Sequence, residues 1–229
     1  MSLGVVFAIL LPVVLLLNVL VFRVSTRRGR ARRERAIAET GWSKVAMNAW
    51  VRESVRTVFP FAIPEAVTVG TVHGREIFVV DCMHVRYGMT LGRGARFKKQ
   101  PHTAHVVLLP LPVELPPIVV SKQYLVNHRP NEWRSGNPAF DERFDVQSSD
   151  RNYASALLAP GLVDWILRNP ALQWRISGNA LIGWNEYRWT PAGATGMANA
   201  LRGVADAIPA QVLQSYGRPA PPISASAGW

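Results

Sequence analysis

The sequence predicts an α+β protein: a single N-terminal transmembrane helix, then a mixed, largely antiparallel sheet domain with packed helices. Three observations predict it. Residues 3–22 are almost wholly apolar and carry no charge. Short β-branched runs separated by turn residues fill the stretch from Ala66 to Ser121. Capped helical stripes follow, without the regular strand–helix alternation of a parallel sheet.

The first element is the span, LGVVFAILLPVVLLLNVLVF. At about 1.5 Å per residue it is about 30 Å long, the depth of a hydrocarbon core. Pro12 predicts a kink of the kind membrane helices tolerate. Residues 23–35 hold seven arginines and one glutamate. Positive charge after a span stays in the cytoplasm, so the N-terminus is expected outside and the domain inside the plasma membrane. A cleaved signal peptide would carry its charge before the apolar run and an A-x-A-like site after it, and neither is present. The expected plan is an anchor over 1–22, a basic juxtamembrane linker over 23–40, a cytoplasmic α+β domain over 41–217 and a flexible tail over 218–229.

Charge says less about the domain than its total suggests. The chain carries +11, of which residues 1–35 hold +6. The single cysteine, Cys82, excludes an intrachain disulfide.

The elements follow in order. In 41–59 the residues Met47, Trp50, Val51, Val55 and Val58 fall on one helical face, with Lys44, Asn48, Arg52 and Arg56 on another. This predicts a basic amphipathic helix, ended by Pro60 and Pro64, that packs on its own domain with its charges solvated or, as the alternative, lies on the membrane surface. Two β-branched runs around His73-Gly74 predict a hairpin. Residues 83–91 extend its second strand, and 92–101 (GRGARFKKQP) read as an exposed basic loop. Residues 105–109 and 118–121 are expected as two short strands, because PLPVELPP between them is too rich in proline for a central strand.

Residues 126–142 read as a polar loop and 144–149 as a strand. Asp150 is expected to cap a helix from Arg151, and Pro160 to open another. Ser177-Gly178-Asn179 suggests a second hairpin between two apolar runs. Thr190-Pro191 starts a helix whose stripe includes Ala194, Ala198, Leu201 and Val204; Pro209 stops it. A last short helix closes at Gly217. The helices are expected on one face of the sheet, and RPAPPISASAGW is expected to be disordered unless a partner holds it.

Chemistry is sparse. HExxH, GxSxG, Walker A and CxxC patterns are absent from the sequence. His102 and His105, three apart on a strand, point to opposite faces and make poor joint ligands. Cys82 and His84 share a face, so a thiolate–imidazole pair is conceivable, but ordinary strand residues are the expectation. The 92–101 loop carries basic residues without the stacking aromatics of a nucleic-acid platform, so no nucleic-acid partner is expected. No cofactor, metal site or catalytic residue is assigned. Eight tryptophans are many for this length and suit interfaces with one wet edge, although most are expected in the core.

The run from Phe140 to Gly217 carries a resemblance. Phe144, Val146, Ser148 and Asp150, leading into a helix with Leu157, Leu158 and Pro160, resemble a family of uncharacterised actinobacterial single-pass membrane proteins. The match covers about one third of the chain well and implies no active site. The chain also looks like the association factor of the actinobacterial respiratory supercomplex, cytochrome bcc–aa3. That resemblance implies a non-catalytic accessory subunit of a membrane complex, with oxidase or cytochrome bc subunits as partners. The alternative is a membrane-tethered cytoplasmic enzyme or ligand-binding domain. A lone span gains little from apolar contact in lipid, so it must grip by shape. Gly4, Ala8 and Pro12, four apart and on one face, are the expected partner-binding face. Leu10, Val13, Leu17 and Leu20 look toward lipid. Arg27, Arg28, Arg30, Arg32 and Arg33 are the expected contacts for anionic lipid.

Overall fold

The turn at His73-Gly74 shows how local chemistry sets the sheet. Both residues have positive φ, 49° and 77°, as a two-residue type I′ turn requires. The turn joins β2 (Ile63–Val72) to β3 (Arg75–Thr90) in antiparallel register, Val72 opposite Arg75 and Val69 opposite Phe78. The predicted hairpin is therefore present. The computed structural model describes residues 31, 34–90, 96–122, 133–185, 189–220 and 223, with the backbone alone for 85–90 and 96–101. Among these residues no helix is long and apolar enough to cross a membrane, and the expected span at 3–22 lies outside them.

The chain divides into two compact units, Met1–Gly41 and Trp42–Trp229. In the first, residues 34–39, expected as linker, are helical. The Thr40 hydroxyl donates to the Ile37 carbonyl at 2.7 Å, and Gly41, at φ 72°, ends the turn.

The second unit is a seven-stranded sheet whose pairings are all antiparallel. The helix expected over 41–59 is split. Ser43–Val45 forms β1, with Ser43 opposite Val69. Only Ala49–Val58 forms the helix, α1. Asn48 decides the boundary: its side chain accepts from the Val51 N–H at 2.8 Å, an N-cap that excludes it from the helix interior. Val51 and Val55 are buried while Arg52 and Arg56 are exposed, so the predicted face holds within these bounds.

The larger correction is β4, which runs unbroken from Arg96 to Lys122, 27 residues. It absorbs the expected basic loop from Arg96 onward and both short strands. The proline-rich stretch does not interrupt it, because the prolines sit where the ladder slips. Pairing with β6 (Trp174–Asn185) shifts register between Pro110 and Leu115 and again between Leu115 and Ile118. Proline, which has no N–H to give, is tolerated at such bulges. The same slip explains Ser177-Gly178-Asn179. It is no hairpin; β6 stays one strand, Gly178 lies opposite Leu115, and its φ of 59° supplies the bulge. Asn179, just beyond it, accepts from the Trp50 indole N–H at 2.8 Å and ties α1 to β6.

Alternation along the strands gives the sheet two apolar faces. Val69, Phe78, Val80, Val106 and Ile182 pack with Val51 and Val55 of α1 on one face. The second face receives α5 (Pro191–Asp206): a side chain at Gly183 would meet Leu201 and Met197 at 3.2 Å. Helices therefore cover both faces rather than one. The polar loop holds one short helix, α2 (Pro138–Asp141). β5 (Phe144–Ser148), α3 (Arg151–Leu157) and α4 (Pro160–Arg168) follow as expected, with Asp150 accepting from the Tyr153 N–H at 3.0 Å. Thr190 caps α5 through the Gly193 N–H. After α6 (Ala210–Tyr216), Arg218–Pro219 pairs with Val113 and Glu114 of β4 as β7, and Ile223 packs on the α1-side core. The tail expected to be loose is thus held at these positions.

Two glycines of α5 give opposite predictions. Gly203 lies under the Trp165 ring, whose indole N–H donates to the Ala200 carbonyl. A Cβ there overlaps the ring, so Gly203→Ala should cost about 1–3 kcal/mol in a urea melt. Gly196 faces open space, so Gly196→Ala should add about 0.5–1 kcal/mol.

Candidate functional site

Candidate polar chemistry gathers at one end of the sheet, where β3 and β4 outrun their neighbours. The last β2 residue in register is Ile63, opposite Met83, and the last of β6 is Asn185, opposite His105. Two rows of polar residues lie there, one on each face.

The α1-side row holds Cys82, His84 and His102. Cys82 is opposite Ala104 and His84 opposite His102, so the two β3 residues share a face as expected. Their surroundings decide what they can do. Cys82 has no exposed surface, and its thiol donates to the Ala104 carbonyl at 3.4 Å. Burial first, then the negative charges of Asp81 and Glu65, push its pKa up to about 12. A nucleophilic cysteine needs the opposite shift. His84 stacks on Phe59 with ring centroids 4.6 Å apart and lies 6.0 Å from the His102 ring. Cys82 is a core residue held as a neutral thiol.

The opposite row is Asp81, His105 and Asn185, directly adjacent across β3, β4 and β6. Asp81 and His105 are buried, and Asp81 accepts from the Trp189 indole N–H at 2.7 Å. Trp189 stacks on Trp42 at 6.1 Å, and Trp42 lies against Gly70, where a Cβ would overlap its ring. Trp189 immediately precedes the cap of α5. The Asp81 bond therefore fixes where that helix begins. Alternation from the α1-side row puts His102 and His105 on opposite faces, as the spacing predicts. Among the described residues no three histidine, cysteine, aspartate or glutamate side chains gather as metal ligands.

The sequence reading missed the Asp81 row. Its signal was a carboxylate inside the apolar run IFVVDCM, since a charge at a core position is buried only with partners. It also missed the segment FPFAIP, which runs from the end of α1 into the start of β2. Phe61 is 87% exposed and Ile63 61% exposed, the large hydrophobic side chains left open among the described residues. The tryptophans divide: Trp42, Trp174 and Trp189 are buried, whereas Trp50, Trp133, Trp165 and Trp184 are half-buried. The expected partner face of Gly4, Ala8 and Pro12 lies outside the described residues, as do Arg27, Arg28, Arg30, Arg32 and Arg33.

The thiol makes a prediction. At pH 8 a disulfide reagent should modify Cys82 in the folded chain at less than about a tenth of the rate in denaturant. The Cys82 contribution to stability should be constant below pH 9 and be lost between pH 9 and about 12, where the unfolded thiol ionises and the folded one does not. Burial raises Tyr153 as well, so its phenol adds to the loss at the alkaline end. Cys82→Ala should flatten the first part of that fall in pH-dependent urea melts and leave the second.

No family model matches the sequence, and no curated protein matches it. Among solved structures the fold is similar to the crystal structure of the mycobacterial trehalose monomycolate transport factor A, TtfA. The TM-score is 0.55 and the identity 14%, over 84% of this chain and 97% of that one. At this identity the likeness speaks for the fold alone: a mixed α+β domain with a largely antiparallel sheet.

Proposed function

We propose that this chain is a non-catalytic accessory factor of an inner-membrane assembly, tethered by the span at 3–22 with its domain on the cytoplasmic side. The observation that carries the reading is the fold-level likeness to a transport factor over 97% of that factor's chain. The polar groups of the domain fit the same reading. Cys82 is held as a neutral thiol, and Asp81 is engaged in holding α5.

The partner we favour is a protein that moves trehalose-linked or similar envelope lipids. Respiratory oxidase and cytochrome bc subunits, suggested by the general appearance of one span with a cytoplasmic domain, come second. The fold likeness spans most of the chain, whereas that appearance rests on no motif. Within the span, Gly4, Ala8 and Pro12 are the proposed gripping face. Arg27, Arg28, Arg30, Arg32 and Arg33 are proposed to rest on anionic headgroups.

Affinity purification through a C-terminal tag, from membranes solubilised in mild detergent, tests this. The expected co-purifying protein is a lipid transport protein. Recovery of oxidase and cytochrome bc subunits instead would move the partner to the respiratory supercomplex, and recovery of the chain alone would refute the accessory role. Gly4→Leu with Ala8→Leu should lower partner recovery about tenfold while leaving the melting temperature unchanged, because only the packing of the span is altered. Undiminished recovery would rule out the small face.

A further inference from the structure

Beyond the last described paired residues of β2 and β6, β3 and β4 stay paired with each other, a two-stranded ribbon among the described residues. The backbone pairs run from His84 opposite His102 to Thr90 opposite Arg96. At about 3.3 Å per residue, such a ribbon extends roughly 20 Å past the last paired residue of β2. Its sequence is one-sided in charge: residues 84–90 and 96–102 contain Arg86, Arg96, Lys98 and Lys99 and no acidic residue. These carry +4 of the +5 net charge of residues 36–229.

Register sorts the ribbon further. Val85 opposite Pro101, Tyr87 opposite Lys99 and Met89 opposite Phe97 occupy one face. Arg86 opposite Gln100, Gly88 opposite Lys98 and Thr90 opposite Arg96 occupy the other. One face is mainly apolar and the other is basic. At its root, on β2 and the loop before it, stand the exposed Phe61 and Ile63.

We infer that this end of the sheet, the FPFAIP segment together with the paired residues 84–90 and 96–102, is a docking surface for an anionic lipid bilayer. Charge complementarity chooses the occupant. A run of basic residues without a single acid is drawn to anionic headgroups, and side chains such as Phe61 and Ile63 enter the acyl boundary beneath them. The surface lies in the second unit and is separate from the proposed span and arginine run. It goes beyond the tethering proposed above.

The test uses the full chain in nanodiscs of phosphatidylcholine, with or without phosphatidylglycerol, built from lipids with brominated acyl chains. Buried Cys82 stays unlabelled, so a fluorophore can be placed at Pro60→Cys, which keeps Phe61 and Ile63. Thr71→Cys, beside the turn at the opposite end of β2, is the control. The Pro60 label should be quenched by brominated lipid about threefold more than the Thr71 label in anionic discs. The excess should vanish with Phe61→Ser and Ile63→Ser, and shrink in high salt. Equal quenching at the two positions, or quenching indifferent to phosphatidylglycerol, overturns the inference. So does an unquenched Pro60 label in a chain whose Phe61→Ser and Ile63→Ser variant loses its co-purifying protein, since the occupant is then that protein. Retention of the chain on vesicles in high salt reads the span separately, so failure of the tether and failure of the docking surface are distinguishable.

Discussion

The fold depends on one strand making hydrogen bonds along both of its edges. β4 pairs with β3, β5, β6 and β7, and among the described residues the ladders without it are β1 with β2 and β2 with β3. The strand contains Pro101, Pro110, Pro112, Pro116 and Pro117. Each removes a backbone donor. Slipping the β6 register twice between Pro110 and Ile118 keeps most of the prolines out of regular ladder positions. Once β6 must slip, it needs a residue at positive φ, and Gly178 provides it. The slip places Asn179 where it can hold Trp50, and through Trp50 the helix α1. Proline in β4, glycine in β6 and the seat of α1 are consequences of a single constraint.

That constraint marks the limit of what the sequence reveals. The His73-Gly74 hairpin, the Asp150 and Thr190 caps and the Pro160 helix start depend on residues within four positions of one another, and all were legible. The long β4 was not, because a strand's right to contain proline depends on what its neighbours offer, and register is not written in either strand alone. The same holds for Asp81, His105 and Asn185, which are far apart in the chain and adjacent across three strands. The split of 41–59 failed for a subtler reason. Its helical periodicity is real, but Asn48 satisfies the Val51 N–H from outside the helix and leaves Ser43–Val45 free to add an edge strand.

Three polar side chains of this domain connect elements. Asp81 takes the Trp189 N–H and so sets the start of α5, and Asn179 takes the Trp50 N–H and so holds α1. Arg175 donates to the Thr57 carbonyl at 2.7 Å in the last turn of the same helix, where a cation also suits the helix dipole. Leaving one of these groups without its partner costs about 1–3 kcal/mol, which is reason enough for each to be there.

Asp81, Asn179 and Arg175 are engaged within the domain, and the features it leaves outside are of another kind. Here the exposed features have a direction. The exposed large apolar side chains of the described residues, Phe61 and Ile63, stand at the end of the sheet where the basic ribbon begins. Leaving a phenylalanine 87% exposed is unfavourable in water at about 25 cal/mol for each Å² of apolar surface. Basic residues without acids likewise repel one another unless an anion lies between them. Both costs fall at one kind of boundary, where hydrocarbon lies beneath a layer of negative charge. The ribbon root and the FPFAIP segment meet that description together, though neither would do so alone.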